Sequence, residues 1–292
     1  MSPALTGHAA MLVFSALVAG SFSLGAQAAN DLEPAALNAV RFWIAAGIIW
    51  LVVRARGSRP SDGVQAPWRY AVLGGFFAAY FFLMFEGLKT APPVSAAAVF
   101  TLTPVMAAGF GWVLLRQVTT PRMALALTIG AAGALWVIFR ADLSALLAFE
   151  VGRGEVVYFI GCVSHAVYTP LVRRLNRGEG AFVFSFWTLV ACAGWLTIVG
   201  AGDLLSTDWH ALPGIVWVAI LYTAVFASAV SFVLLQVGAM RLPAAKVMAY
   251  TYLTPSWVIL WEIAFGNGVP GALVWGGVAL TVVALGLLLR EG

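Results

Sequence analysis

Ten runs of apolar residues, joined by short loops, leave this chain little choice of solvent. Bilayer hydrocarbon is roughly 30 Å thick, so a spanning helix needs about 20 mostly apolar residues. The runs fall at 9–28, 35–53, 69–88, 94–115, 121–139, 154–172, 182–200, 213–237, 244–265 and 270–289. No stretch between them is long enough for a soluble domain. The expected fold is an all-α membrane protein of ten transmembrane helices, with any substrate site between helices. Composition agrees: 62% of the 292 residues are hydrophobic and 10% are charged, against roughly 25% charged in a soluble domain.

The net charge of +4 and pI of 9.3 do not point to nucleic acid, because the arginines sit in short clusters between apolar runs. They read as topology signals. One side carries Arg54, Arg56, Arg59, Arg69, Arg116, Arg122, Arg173, Arg174, Arg177, Arg241, Lys246 and Arg290, and the other only Lys89, Arg140 and Arg153 with acidic Asp31, Glu33, Asp203 and Asp208. Twelve against three places both termini in the cytoplasm of a multi-pass inner-membrane protein. The first run is read as a retained helix, not a cleaved leader, since no Lys or Arg precedes Arg41 and the run contains serines. Cys162 and Cys192 lie in separate apolar runs, where they are expected to pack as small hydrophobes.

A repeat emerges at a fixed offset of 151 residues. Phe81, Leu83, Gly87, Pro92, Ala98, Leu102, Thr103 and Pro104 fall on Phe232, Leu234, Gly238, Pro243, Ala249, Leu253, Thr254 and Pro255. For the first two helices of each half the offset drops to 144, placing Phe42-Trp43 on Phe186-Trp187. The chain therefore divides into five-helix repeats at 1–140 and 141–292. An odd-numbered unit enters the membrane in opposite senses in its two copies, so the halves are expected to be inverted about a pseudo-two-fold axis in the membrane plane.

The segments Leu37-Asn38-Ala39-Val40-Arg41-Phe42, Leu102-Thr103-Pro104 and Leu253-Thr254-Pro255, set within two such repeats, resemble the EamA-type drug/metabolite transporters. The resemblance covers nearly the whole chain. It implies a central substrate cavity walled by helices three, four, eight and nine with one and six, while five and ten pack outside. It also implies a structural role for Arg41. The family often carries Glu at the end of the fourth helix of each repeat, where this chain has Arg116 and Asn267. Among the branches, the exporters of aromatic amino acids look most similar.

Pro104 and Pro255 free the carbonyls of Phe100 and Thr251 inside their helices. Two readings stand: the prolines and their threonines line a substrate site, or they are packing kinks satisfied by the Thr101, Thr103 and Thr254 hydroxyls. Tyr222, Tyr250, Tyr252 and Trp257 surround the second proline, and such rings stack on aromatic substrates or hold an ammonium by cation–π attraction. Core packing is the competing account of each ring. Ser164, His165 and Tyr168 share a neighbourhood on helix six, with Tyr80 on helix three, and Ser21, Ser23 and Gln27 add polar groups from helix one. A membrane histidine relays protons or binds a carboxylate, or is simply a satisfied core group.

Arg41 and Glu262 are costly intramembrane charges and, with Glu86, are the coupling or gate candidates besides His165. Glu86 and Lys89 are spaced as a local i,i+3 pair. No metal cluster, cofactor motif or nucleophile–base pair occurs, so neither an enzyme nor a cofactor is expected. A multidrug cation exporter would need an acid in the cavity, and helices one and six offer only Glu155 at an edge. The expectation is a monomeric or weakly oligomeric carrier exporting amino acids, aromatic ones foremost. Carriers of sugars or nucleotide-linked metabolites are the alternative.

Overall fold

The computed structural model describes residues 2–58, 63–139, 142–144 and 151–289. Arg59, Arg140 and Arg290, and the expected boundary between the halves at 140/141, lie outside the described residues. In chain order the helices are α1 (Pro3–Ala28), α2 (Pro34–Ala55), α3 (Trp68–Leu88), α4 (Pro93–Phe100), α5 (Thr103–Leu115) and α6 (Pro121–Ile138). Then come α7 (Arg153–Leu175), α8 (Ala181–Val199) and the short α9 (Ala201–Ser206). The helix after them is built from α10 (Gly214–Ala224), a π-helical turn (Val225–Val230) and α11 (Ser231–Arg241). The next is α12 (Ala244–Ala249), a 3₁₀ turn (Tyr250–Leu253) and α13 (Thr254–Ala264), before α14 (Ala272–Leu289) closes the chain.

Among the described residues nine helices are long and apolar enough to cross a membrane, counting α4–α5 and α10–α11 as one span each. The expected ninth run is the exception, since its helix is made of three shorter pieces. The start signals are local. Pro3, Pro34, Pro93 and Pro121 each open a helix, where the missing N–H costs nothing. The Ser2 and Thr120 side chains accept from Leu5 N and Met123 N, each at 3.2 Å.

Packing recurs between the halves in exchanged form. α3 lies on α7 as α11 lies on α1, α5 on α7 as α13 on α1, while α2 pairs with α8 and α6 with α14. In lipid no hydrophobic force pulls helices together, so close approach depends on small residues. A Cβ on Gly74 would stand 2.6 Å from the backbone nitrogen of Cys192 on α8, and one on Gly277 would stand 2.7 Å from the Gly133 carbonyl on α6.

Two of the expected topology cations are buried. Lys246 is buried, and Arg69 donates to Glu179 Oε1 at 2.5 Å as well as to the carbonyls of Gln65, Ala66 and Leu175. Glu179 also accepts from Tyr70 OH and from Arg177 N. Burial opposes the ionised Glu179, but the Arg69 and Arg177 hydrogen bonds outweigh it and hold its carboxyl below the usual carboxylate range. A depressed carboxylate gives stability that is complete above its unfolded pKa of about 4.3 and is lost as pH falls through the folded value.

Two outcomes are expected. Gly74→Ala costs about 3 kcal/mol and reduces the yield of monodisperse protein on size exclusion, whereas Gly194→Ala, whose added Cβ meets nothing within 4 Å, leaves it unchanged. Glu179→Gln costs about 2 kcal/mol at neutral pH, and thermal unfolding shows its deficit closing below about pH 4. A deficit equal at pH 7 and pH 3 contradicts the ion-pair account.

Candidate functional site

Helical spacing builds a nest of rings at the centre. α3 contributes Phe77, Tyr80 and Phe81 at i, i+3 and i+4, and α7 contributes Tyr158, His165 and Tyr168. Phe100 closes the end of α4, Phe22 enters from α1, and α11 adds Phe232 and Gln236 one turn apart. The His165 ring lies 4.4 Å from Tyr80 and 5.6 Å from Phe100, and stacks on Tyr168 at 6.1 Å and 17°. Tyr80 OH meets Tyr158 OH at 3.0 Å, and Gln236 Nε2 donates to Tyr168 OH at 2.7 Å. Phe22 touches both Phe100 and Tyr158 at 5.9 Å. The centre is occluded: Tyr80, Tyr158, His165, Tyr168 and Phe100 are each at most 1% exposed.

This nest is apolar in outline and polar in detail. His165 Nδ1 and Gln236 Oε1 are buried with no partner among the described residues, as are the hydroxyls of Ser21 and Ser23 on either side of Phe22. An unmet buried polar atom costs about 1–3 kcal/mol, a cost that a guest supplying donors and acceptors would return. Gln236 Oε1 accepts only, which suits an ammonium or hydroxyl.

Behind the nest lies Arg41, fully buried and in no ion pair among the described residues. Its partners are neutral. Nε donates to Ser228 Oγ at 2.7 Å, and the two terminal nitrogens to Asn38 Oδ1 at 3.1 Å and the Ala227 carbonyl at 3.2 Å. Its guanidinium sits over Phe81, Phe42 and Phe85 at 4.1, 4.9 and 5.7 Å. Ala227 and Ser228 belong to the π turn. Backbone and side-chain dipoles and ring faces stand where a counter-charge would be expected.

The predicted site residues therefore separate. Tyr80, Phe100, His165 and Tyr168 come together, and Ser164 is half-buried beside them. Tyr222, Tyr250, Tyr252 and Trp257 do not share a ring contact with the nest among the described residues. Tyr222 OH donates to the Leu17 carbonyl at 3.1 Å, Tyr250 OH meets His8 Nδ1 at 3.1 Å, and Trp257 Nε1 donates to Ser15 Oγ at 3.3 Å, all on α1. Tyr252 packs against Gly130 of α6, away from the centre.

The prolines mark breaks, not bends. Pro104 and Pro255 are the second residues of α5 and α13. In the first half the hydroxyl account holds, with Thr103 Oγ1 donating to the Phe100 carbonyl at 2.5 Å and Thr101 Oγ1 to Ala98 at 2.6 Å. In the second half Thr251 Oγ1 and Thr254 Oγ1 are buried and unpartnered. Glu262 belongs to the last turns of α13, where Asn267 Nδ2 donates to it at 2.8 Å. Glu86 pairs with Lys89 at 2.9 Å as its spacing foretold, and Lys89 reaches Glu33 too. Gln27 is exposed.

Sequence reasoning passed over Phe77, Tyr158 and Gln236. Tyr158 lies seven residues before His165, hence on its face, and Gln236 is a lone amide in an apolar run; those were the available signals.

The comparisons with known proteins bear on this geometry. The chain is 26% identical over 285 residues to the uncharacterized transporter YyaM of Bacillus subtilis (strain 168), covering 97% of this chain and 92% of that protein. It is 25% identical over 291 residues to the aromatic amino acid exporter YddG of Ancylobacter novellus, covering 97% of both. A protein of known crystal structure shares the fold with a TM-score of 0.74 and 23% identity, over 98% of this chain and 96% of its own. The EamA-like transporter profile matches twice, over residues 5–139 and 152–290. With both matches together spanning nearly all of it, the chain belongs to the EamA-like transporter family.

Proposed function

We propose that this transporter exports amino acids, aromatic ones foremost, across the cytoplasmic membrane, with two inverted halves at 1–140 and 141–292 rocking about the nest in alternating access. The carrying observation is the nest itself: stacked rings around two buried polar atoms, His165 Nδ1 and Gln236 Oε1, that have no partner among the described residues. An aromatic side chain replaces ring–ring contacts worth about a kcal/mol each, and an ammonium meets Gln236 Oε1. The unpaired Arg41 biases the core positive. That charge favours a carboxylate over a cation on the part of a guest nearest to it. The name of the 25% identical relative points the same way. The working unit is a monomer or weak homo-oligomer in lipid.

Purified protein in liposomes is expected to move labelled phenylalanine and tryptophan saturably and a labelled sugar not at all. Gln236→Leu and His165→Phe raise KM for phenylalanine about tenfold at equal protein. Sugar flux without amino acid flux rejects the reading. For Arg41→Gln, the preference for phenylalanine over its uncharged-carboxyl amide falls roughly tenfold, measured as a ratio on the same vesicles. An unchanged ratio removes Arg41 from substrate selection.

A further inference from the structure

The connection between α2 and α3 and the one between α7 and α8 meet around a polar cavity of about 640 Å³. Arg56, Ser58 and Gln65 line it from the first, and Arg177, Glu179 and Phe182 from the second. α2 ends at Ala55, α3 starts at Trp68, α7 ends at Leu175 and α8 starts at Ala181. The cavity therefore stands where four spans leave the apolar layer, at the level of lipid headgroups. The Lys/Arg bias assigns that side to the cytoplasm.

The one acid named in the lining is already engaged. Glu179 Oε1 accepts from Arg69 and Tyr70, and its Oε2 accepts from the backbone N–H of Arg177. The guanidiniums of Arg56 and Arg177, in contrast, make no hydrogen bond or ion pair among the described residues. Arg56 lies over the Phe182 ring at 4.3 Å, a contact that uses the face of the guanidinium and leaves its edge N–H donors free. Arginine stays charged at any ordinary pH, so two unpaired cations from separate connections share one concave wall. Each planar fork matches a pair of anionic oxygens. A carboxylate is filled by one such fork, whereas a phosphate offers oxygens to both.

We propose that this cavity is a binding site for a phosphate group, carried by an anionic lipid headgroup or by a small phosphorylated solute, with Arg56 and Arg177 as its clamp. An occupant joins the two connections beside the Arg69–Glu179 ion pair. The site is separate from the nest and does not depend on what the nest carries.

The test titrates full-length protein in dodecyl maltoside with glycerol 3-phosphate and with dihexanoyl phosphatidylglycerol, at constant ionic strength, and reads binding by microscale thermophoresis. Saturable binding is expected. Binding of glycerol 3-phosphate identifies a phosphorylated solute as the occupant, and binding of phosphatidylglycerol alone identifies a lipid headgroup. Arg56→Gln and Arg177→Gln each weaken binding about tenfold. Both residues are exposed, so their replacement leaves the fold intact. Ser58→Trp fills the cavity without changing its charge and abolishes binding. Arg241→Gln removes an exposed arginine at the end of α11, outside the cavity, and leaves binding unchanged. Saturable binding of neither probe overturns the proposal, as does binding unchanged in any of the three cavity variants. Equal weakening in Arg241→Gln overturns it too, since the attraction would then belong to the basic surface as a whole.

Discussion

The grip of Arg41 on the π turn is the contact on which the central site depends. A π turn carries one residue more than an α turn, and each added residue rotates everything beyond it by about 100°. Phe232 and Gln236 follow the turn directly, so their place in the nest is set by it. Arg41 donates to the Ala227 carbonyl of the turn, while Ser228 takes Nε. In a bilayer such a carbonyl has no water to turn to. The guanidinium, in turn, tolerates burial because neutral acceptors and ring faces replace its hydration.

The repeat is real in backbone and unequal in chemistry. At the offset of 144 the counterpart of Arg41 is Ser185, a buried hydroxyl without a partner, and at 151 the counterpart of the π turn lies in the unbroken α3. The half that receives an arginine has a loosened helix opposite it, and the half that receives a serine has a regular one. The breaks before the two prolines differ likewise. Phe100 faces the nest with its carbonyl capped by Thr103, whereas the matching Thr251 keeps an unmet hydroxyl.

Much of this was legible in the residues. Apolar runs and opening prolines mark the helices, and the offset repeat marks the halves, because both follow from local rules of length and hydrogen bonding. Tyr80, Phe100, His165 and Tyr168 were likewise readable as intramembrane polar and aromatic groups. Tyr222, Tyr250 and Trp257 looked the same in sequence yet bond to α1 at separate points, since which face of a helix meets which neighbour is a long-range outcome. The π turn was invisible for a related reason. Nothing in Val225–Val230 demands it locally; its acceptor is met by an arginine 186 residues away.

Three buried charges share one property that hydropathy does not reveal: each bonds across the halves. Arg41 reaches Ser228, Arg69 reaches Glu179, and Glu155 takes its proton donor from Ser95. The close glycine contacts of Gly74 with Cys192 and Gly133 with Gly277 cross as well. Lipid tails compete with apolar side chains on equal terms, so apolar area alone gives helices no reason to associate in a bilayer. What distinguishes one half's neighbour from lipid is then small residues and polar bonds. A few such bonds, each worth on the order of 1–3 kcal/mol, hold the halves in register.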